Sequence, residues 1–376
     1  MPTQRLRVLT VFGTRPEAVK LGPVIRELAR FEDRIESRVC VTAQHRDMLD
    51  QVLVVFGIQP EFDLDVMQDN QTPTQVAAAV LSRLEPILHS QQPDWVLVQG
   101  DTTTVAAAAL AAFYARSHVG HVEAGLRTGD RWQPFPEEIN RRVAGAIADR
   151  HFAPTTRSRD NLLRENVPAE RILVTGNPGI DALRWITAQP ASETVRELLM
   201  EAPEARIILV TAHRRENFGE PLAQICHALR EVAAQYAHSV RIIYPVHRNP
   251  NVWGPVHALL DNIPNVTLCP PLDYLSMLHL MKRSYLVVSD SGGIQEEATG
   301  LGVPALVLRE VTERPEGVET GALRLVGTDR ARIVSDVVRL LEDPTEYARM
   351  AQAENPFGDG HAAERIVASL LNDPLA

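Results

Sequence analysis

The chain alternates between short runs of apolar, often β-branched residues and longer stretches in which apolar positions recur every three or four residues. The runs LRVLTVF (6–12), SRVCVTA (37–43), WVLVQG (95–100), HVGHVEA (118–124), HFAP (151–154) and ILVTG (172–176) read as strands. Between them PEAVKLGPVIRELAR, TPTQVAAAVLSRLEPILHS, TVAAAALAAFYAR, EEINRRVAGAIADR and TTRSRDNLLREN read as helices. A second series follows: RIILVTA (206–212), VRIIYPV (240–246), VTLCPP (266–271), YLVVSD (285–290) and ALVLR (305–309). Strands that are apolar throughout need cover on both faces, which helical crossovers between parallel strands supply. The pattern predicts an α/β protein of two doubly wound, Rossmann-type domains. Strand period stops at GNPGIDALRWITAQPASETVRELL, where Pro178, Gly179 and Pro190 collect, so the predicted domains are 1–177 and 178–359. The last helical stretch, within 360–376, follows the Pro/Gly break ENPFGDG and is expected to return to the first domain.

Length agrees with this division, because 376 residues exceed the usual span of one hydrophobic core. With 38 basic and 48 acidic residues the net charge is −10, which argues against a general affinity for nucleic acid or anionic membrane and leaves room for a local basic pocket. Cys40, Cys226 and Cys269 are far apart, odd in number and without zinc-ligand spacing, so reduced structural thiols are expected. The N-terminal apolar run is short for a secretory signal and no run reaches membrane length; a cytoplasmic protein is expected.

Open parallel sheets bind ligands at the carboxyl ends of their strands, so the polar residues there matter most. The first strand leads into Gly13-Thr14-Arg15-Pro16-Glu17, with Pro16 suited to the first helical position and Lys20 a turn further on. Arg15 and Lys20 read equally well as solvated groups on a capped helix or as anion contacts. The spacing is not that of a Walker loop, and no strand is followed by Gly-x-Gly-x-x-Gly. Asp101 precedes Thr102, Thr103 and Thr104 at the start of an alanine-rich helix, where helix capping alone would account for it. Glu137 and Glu138 open a helix, a position that the helix dipole favours for acids. Glu123 is harder to explain structurally, since HVEAG puts a carboxylate where a parallel sheet is normally dry.

In the second half His213, Arg214 and Arg215 follow a strand directly, and His247 with Arg248 ends another. This clustering reads as an anion site. The stretch VVSDSGGIQEEATGLGVPAL adds the turn Ser291-Gly292-Gly293 at a helix start, whose backbone amides suit a phosphate, and Glu297 one turn on. A nucleoside diphosphate accounts for both, with phosphate on the amides and the ribose diol on Glu297, while Glu296 on another azimuth reads as solvated. Acids collect in the first half and phosphate-binding groups in the second, which predicts a cleft between two domains with a diphosphate on one wall and proton chemistry on the other.

Nine strings in order carry a resemblance over nearly the whole chain: VFGTRPEAVKLGPVI, VTAQHRDMLDQVL, QGDTTT, GHVEAGLRTG, PFPEEINRR, VTAHRREN, YPVHRNPNV, SDSGGIQEEATGLGVPALVLR and TERPEGVETG. The sequence resembles the non-hydrolysing UDP-N-acetylglucosamine 2-epimerases. That resemblance implies a GT-B-like pair of Rossmann-type domains, a homodimer, and reversible interconversion of UDP-GlcNAc and UDP-ManNAc for cell-envelope polysaccharide. The reaction it implies passes through UDP elimination to an enzyme-bound 2-acetamidoglucal and re-addition of UDP, with neither nicotinamide nor metal.

Matched by motif, Asp101, Glu123 and Glu137 would be the catalytic carboxylates. Arg15, Lys20 and His213 would stabilise departing UDP. Ser291, Gly292, Gly293, Glu297 and Arg314 would hold the nucleotide, with Leu272 and Met277 giving backbone contacts to uracil. Gln44 and His247 match an activator site that some relatives carry, whereas Asp47 and Asn70 depart from it, which argues against activation by substrate. Rival readings are an epimerase of another UDP-2-acetamido sugar such as a 2,3-diacetamido uronate, a hydrolysing epimerase, a GT-B glycosyltransferase with one base and an acceptor groove, and a UDP-sugar sensor.

Overall fold

The computed structural model describes residues 5–42, 46–66, 71–200, 204–312 and 314–373. Its chain divides into one unit of Met1–Ala182 with Phe357–Ala376 and another of Leu183–Pro356. The first unit holds β1 (Leu6–Phe12), β2 (Ile35–Val41), β3 (Phe62–Asp63), β4 (Trp95–Gln99), β5 (His118–Val122), β6 (Arg150–Ala153) and β7 (Ile172–Val174) in the order β3-β2-β1-β4-β5-β6-β7. Every pairing in this sheet is parallel.

The second unit holds β8 (Arg206–Thr211), β9 (Val240–Pro245), β10 (Val266–Cys269), β11 (Leu286–Ser289), β12 (Ala305–Val307) and β13 (Leu323–Leu325) in the order β10-β9-β8-β11-β12-β13. It too is parallel throughout. Each order reverses direction once, at β1/β4 and at β8/β11, so each unit has one switch point where adjacent crossovers leave on opposite faces. The predicted α/β, doubly wound class is the one observed.

Burial follows the pattern read from the chain. β4 is buried at all five positions, and the helix Thr103–Tyr114 lays its small residues, Ala107, Ala108, Ala109, Ala111 and Ala112, against the first sheet. In the second unit Ile208, Val210, Ile242, Tyr244, Leu286 and Val288 form the sheet's share of one core. The helix Ala362–Leu371 packs on the helix Arg15–Ala29 within the first unit. Cys40, Cys226 and Cys269 are all free thiols, on β2, the helix Glu220–Gln235 and β10.

Among the elements absent from the sequence expectation are β3, β13 and the helix Arg46–Phe56. β3 and β13 span two and three residues, too few for periodicity to register. The helix Arg46–Phe56 contains the unbroken apolar run LVVF, which blurs its period.

Candidate active site

The exit from β1 is organised by Glu17, an acid the sequence expectation left without a role. Its buried carboxylate accepts the backbone N–H groups of Gly13 (3.1 Å) and Thr14 (2.7 Å) and the hydroxyl of Thr102 (2.9 Å). Burial pushes its pKa above the ordinary carboxylate value, against the pull of those bonds. The helix begins at Arg15, with Pro16 second, and Arg15 is half-buried at this N-terminus. Glu17 thereby ties the β1 exit to the β4 exit across the switch point of the first sheet.

At the end of β4, Gly100 adopts φ +82° and Asp101 follows. Thr102 rather than Asp101 caps the next helix, accepting from the Val105 N–H at 3.3 Å. The Asp101 carboxylate turns instead to the Arg141 guanidinium in a close ion pair. Arg141 lies on the helix Glu137–Ile147 and also reaches Glu138 (3.3 Å). Glu138 is fully buried and accepts from Thr128 N–H (3.1 Å) and Arg142 (3.0 and 3.2 Å). Burial raises its pKa, but Thr128, Arg142 and Arg141 together outweigh that and hold it below the ordinary range. Glu138 is therefore a brace for the loop before its helix. Glu137, one residue earlier, is different: its Oε2 is shielded from solvent and makes no hydrogen bond among the described residues. A shielded carboxylate oxygen without a donor is costly unless a ligand supplies one.

Glu123 follows β5 with a left-handed backbone, φ +62°, and is buried. Its carboxylate receives close contacts from the Lys20 ammonium and the Gln99 amide, and Asn177 Nδ2 donates to Oε1 at 3.0 Å. Lys20, expected at a diphosphate, thus pairs with a predicted catalytic acid. Beneath this cluster His121 Nε2 donates to the Gly100 carbonyl at 2.7 Å, which fixes the ring's tautomer. Burial lowers the pKa of His121 to about 4 and that of His151 to about 3, so both rings are neutral.

In the second unit the corresponding acid is Asp290, after β11. Its carboxylate is fully buried and its Oδ2 accepts the N–H groups of His213 and Arg214 (2.8 Å each) and Asn217 Nδ2 (3.0 Å). This pins the His213 loop to the strand bearing the Ser291-Gly292-Gly293 turn. His213 Nδ1 lies 3.5 Å from Asp290 Oδ1, and its ring stacks on His247 with centroids 5.4 Å apart and 12° between planes. Desolvation lowers the His213 pKa, with Asp290 opposing and the neighbouring His247 and Arg214 reinforcing.

The helix Gly292–Gly300 starts at the turn, and a Cβ at Gly293 would meet open space, so its backbone can be approached closely. Glu297 Oε1 accepts from the Tyr274 hydroxyl at 2.9 Å. Leu272 and Met277 flank this tyrosine in sequence and are half-buried. Glu296 is not solvated as expected. It is buried and ion-paired with Arg314, because the helix Gly292–Gly300 also buries Ile294, Gln295, Ala298 and Thr299 and leaves little solvated face.

The chain matches the UDP-N-acetylglucosamine 2-epimerase family over residues 26–371. It is 52% identical over 377 aligned positions to the UDP-N-acetylglucosamine 2-epimerase of Escherichia coli (strain K12), covering 99% of this chain and 100% of that one. The Salmonella typhimurium enzyme of the same name is 53% identical, with 97% and 98% covered. The chain belongs to the UDP-N-acetylglucosamine 2-epimerase family.

Among solved structures, the Neisseria meningitidis UDP-GlcNAc 2-epimerase bound to UDP-GlcNAc superposes with TM-score 0.86 at 46% identity, covering 98% of this chain and 100% of that chain. Within this epimerase family member, Asp101 and Glu123 sit at adjacent strand ends of the first unit, and Glu137 opens a helix that also bears Arg141. His213, Ser291–Gly293, Glu297 and Arg314 belong to the second. Gln44 lies outside the described residues, as do Asn70 and Glu313, while His247 stands against His213. Sequence reasoning missed Glu17, Gln99, Arg141, Asn177 and Asp290 as members of these clusters. Gln99 and Asp290 were findable, being polar residues at the ends of apolar strands. Among the described residues, no group of three or more His, Cys, Asp or Glu could hold a metal ion, and no helix is long and apolar enough to cross a membrane.

Proposed function

We propose that this chain interconverts UDP-GlcNAc and UDP-ManNAc by eliminating and re-adding UDP. A carboxylate removes the C2 proton while the C1–O bond breaks, its electron pair leaving with UDP and a C1=C2 double bond forming. UDP then re-adds at C1 as a proton reaches the opposite face of C2. Two faces need two acid–base groups or one that shifts. Asp101 and Glu137 are assigned these roles, with Glu123 orienting. Charge on departing UDP is met by fixed donors, assigned to Arg15, His213, Arg314 and the Ser291–Gly293 amides, with Glu297 on the ribose and the Leu272–Met277 segment near uracil. Lys20 serves through its pair with Glu123.

What supports the reading is the setting of the first unit's acids, beyond what folding requires. Asp101 is released from capping by Thr102, and Glu137 keeps a shielded oxygen without a donor. The enzyme is assigned to the cytoplasm and to the supply of cell-envelope polysaccharide, and its assembly is assigned as a homodimer. Exposed Phe113 and Tyr114, 61% and 69% accessible, give apolar surface on the first unit for that assembly. Light scattering at twice the chain mass would bear the dimer out, and the mass of one chain would remove it.

The test of the reaction is proton NMR of UDP-GlcNAc with enzyme in deuterated water. Deuterium at C2 of both sugars, with UDP-ManNAc formed, is the expected result. Conversion with C2 hydrogen fully retained, release of free sugar alone, or no turnover sinks the proposal.

A further inference from the structure

Asn177 sits where the chain prepares to leave the first unit, five residues before Ala182, and it bonds to the residue at which the chain returns, Phe357. Its backbone N–H donates to the Phe357 carbonyl at 2.7 Å. Gly176 has φ +85°, and a Cβ there would stand 3.1 Å from Gly358 Cα. Gly358, at φ +127°, has a Cβ position 3.3 Å from the Asn177 nitrogen. The two segments therefore touch backbone to backbone, a crossing that side chains at either position would push apart.

The side chain of Asn177 has its orientation dictated by its partners. Oδ1 accepts the Gly179 N–H at 2.9 Å, so Nδ2 is the atom that faces Glu123 Oε1 at 3.0 Å. A capping role for the following helix, Pro178–Thr187, needs only the oxygen. The amide nitrogen is surplus to that role and is spent on a carboxylate.

Resting on the epimerase reading above, we propose that Asn177 is a positioning residue for the reaction, one that holds the Glu123 carboxylate aligned with Lys20 from an anchor at the chain crossing. Three donors on one buried carboxylate fix the direction in which it points. The left-handed backbone of Glu123 is unfavourable for a residue with a Cβ, so side-chain bonds must help to keep it there. Of the three donors Lys20 is long and flexible, Gln99 ends β4, and Asn177 is short and clamped at three points.

The substitutions that separate this from a capping role are Asn177→Asp and Asn177→Ser. Both keep an oxygen for the Gly179 N–H; both lose the donor to Glu123, and the aspartate sets a second carboxylate beside it. Like-charged carboxylates at this distance share a proton and raise one another's titration. The expected result for Asn177→Asp is a kcat lower by about 100-fold at neutral pH, within the usual range for a disturbed acid–base group, with KM little changed. Its acidic limb in the pH–rate profile moves upward. Asn177→Ser is expected to lose about 10-fold in kcat, less than a full acid–base contribution.

Wild-type kcat and pH profile in Asn177→Asp overturn the inference. If that variant does not fold, Asn177→Ser decides by the same two readouts, a wild-type profile again overturning it. The parent enzyme is assayed alongside for C2 deuterium exchange. Failure of the parent to exchange removes the reaction assignment and this inference with it, whereas exchange by the parent and by both variants at equal rates removes the inference alone.

Discussion

Compare the strand that follows the switch point in each unit, β4 in the first and β11 in the second. Both carry an acid just beyond the strand end, Asp101 in Gln99-Gly100-Asp101 and Asp290 in Ser289-Asp290-Ser291. Asp290 turns inward and accepts two backbone N–H groups and an amide, so it is consumed in holding the His213 loop. Asp101 is excused from backbone duty by Gly100 and Thr102 and meets a guanidinium instead. The same topological position thus carries an acid bonded to backbone in one unit and an acid paired with a side chain in the other. In the second unit the proposal gives the ligand side to the positive end of the helix Gly292–Gly300, where Gly293 is open to close approach.

If that division is right, substitutions at the two kinds of residue fail differently. Asp101→Asn, Glu137→Gln and His213→Ala should each lose about 100- to 10,000-fold in turnover, the range for acid–base groups, while UDP binds nearly as before. Turnover assays beside calorimetric titration of UDP check this, and near-normal turnover in all three would erase the distinction. Asp290→Ala should act on stability first. It strands three donors and deprives His213 of a partner, so unfolding should become easier by about 3 kcal/mol, as for a buried charged hydrogen-bonding group. Denaturant titration reads the effect, and a loss under about 0.5 kcal/mol would show Asp290 to be dispensable to the fold. Glu297→Ala should weaken UDP by about 10-fold, near 1.4 kcal/mol, with Asp101→Asn as the contrast that leaves affinity alone.

How much of this is visible in the sequence depends on what each residue is made of. The parallel sheets are readable because their strands are unbroken apolar runs, as in WVLVQ and RIILVT, and acids stand out at the ends of such runs. Glu123 is readable for that reason. Its partner Asn177 is not: an amide carries no charge pattern, and this one is 54 residues away from the acid it serves. Arg141 is hidden differently. It stands four residues after Glu137 and three after Glu138, where a helical ion pair is the ordinary expectation, yet it also bridges to Asp101 on another element. Glu296 was misread because helical azimuth predicts exposure only when one face of a helix meets water, and the helix Gly292–Gly300 is covered nearly all round. β3 and β13 are set by the neighbouring strand's hydrogen bonds more than by their own two or three residues.

A pH series tests whether the two units also differ in their response to acid. His121 and His151 lie side by side at the base of the first unit's cluster, paired in register across β5 and β6. The Nδ1 of each is buried without a hydrogen-bond partner among the described residues. Burial is the main cause of their low pKa values, about 4 and about 3, and the neighbouring His121, Arg127 and Arg171 add to it for His151. Unfolded, both rings titrate near 6.5. As pH falls below 6.5 the unfolded chain binds protons that the folded chain refuses until about pH 4, so stability declines through that window and is flat above it.

Between pH 7.5 and 5.0 each ring should remove roughly 2 kcal/mol, and His151→Gln should return about that much of the pH dependence. Hydrogen exchange resolved by segment should show the loosening first around β5 and β6 and only later around β8 and β11. Equal loosening of both sheets would mean that the histidines are not what makes the first unit sensitive to acid. A His151→Gln variant as acid-labile as the parent would move the cause to other titratable groups of the first unit.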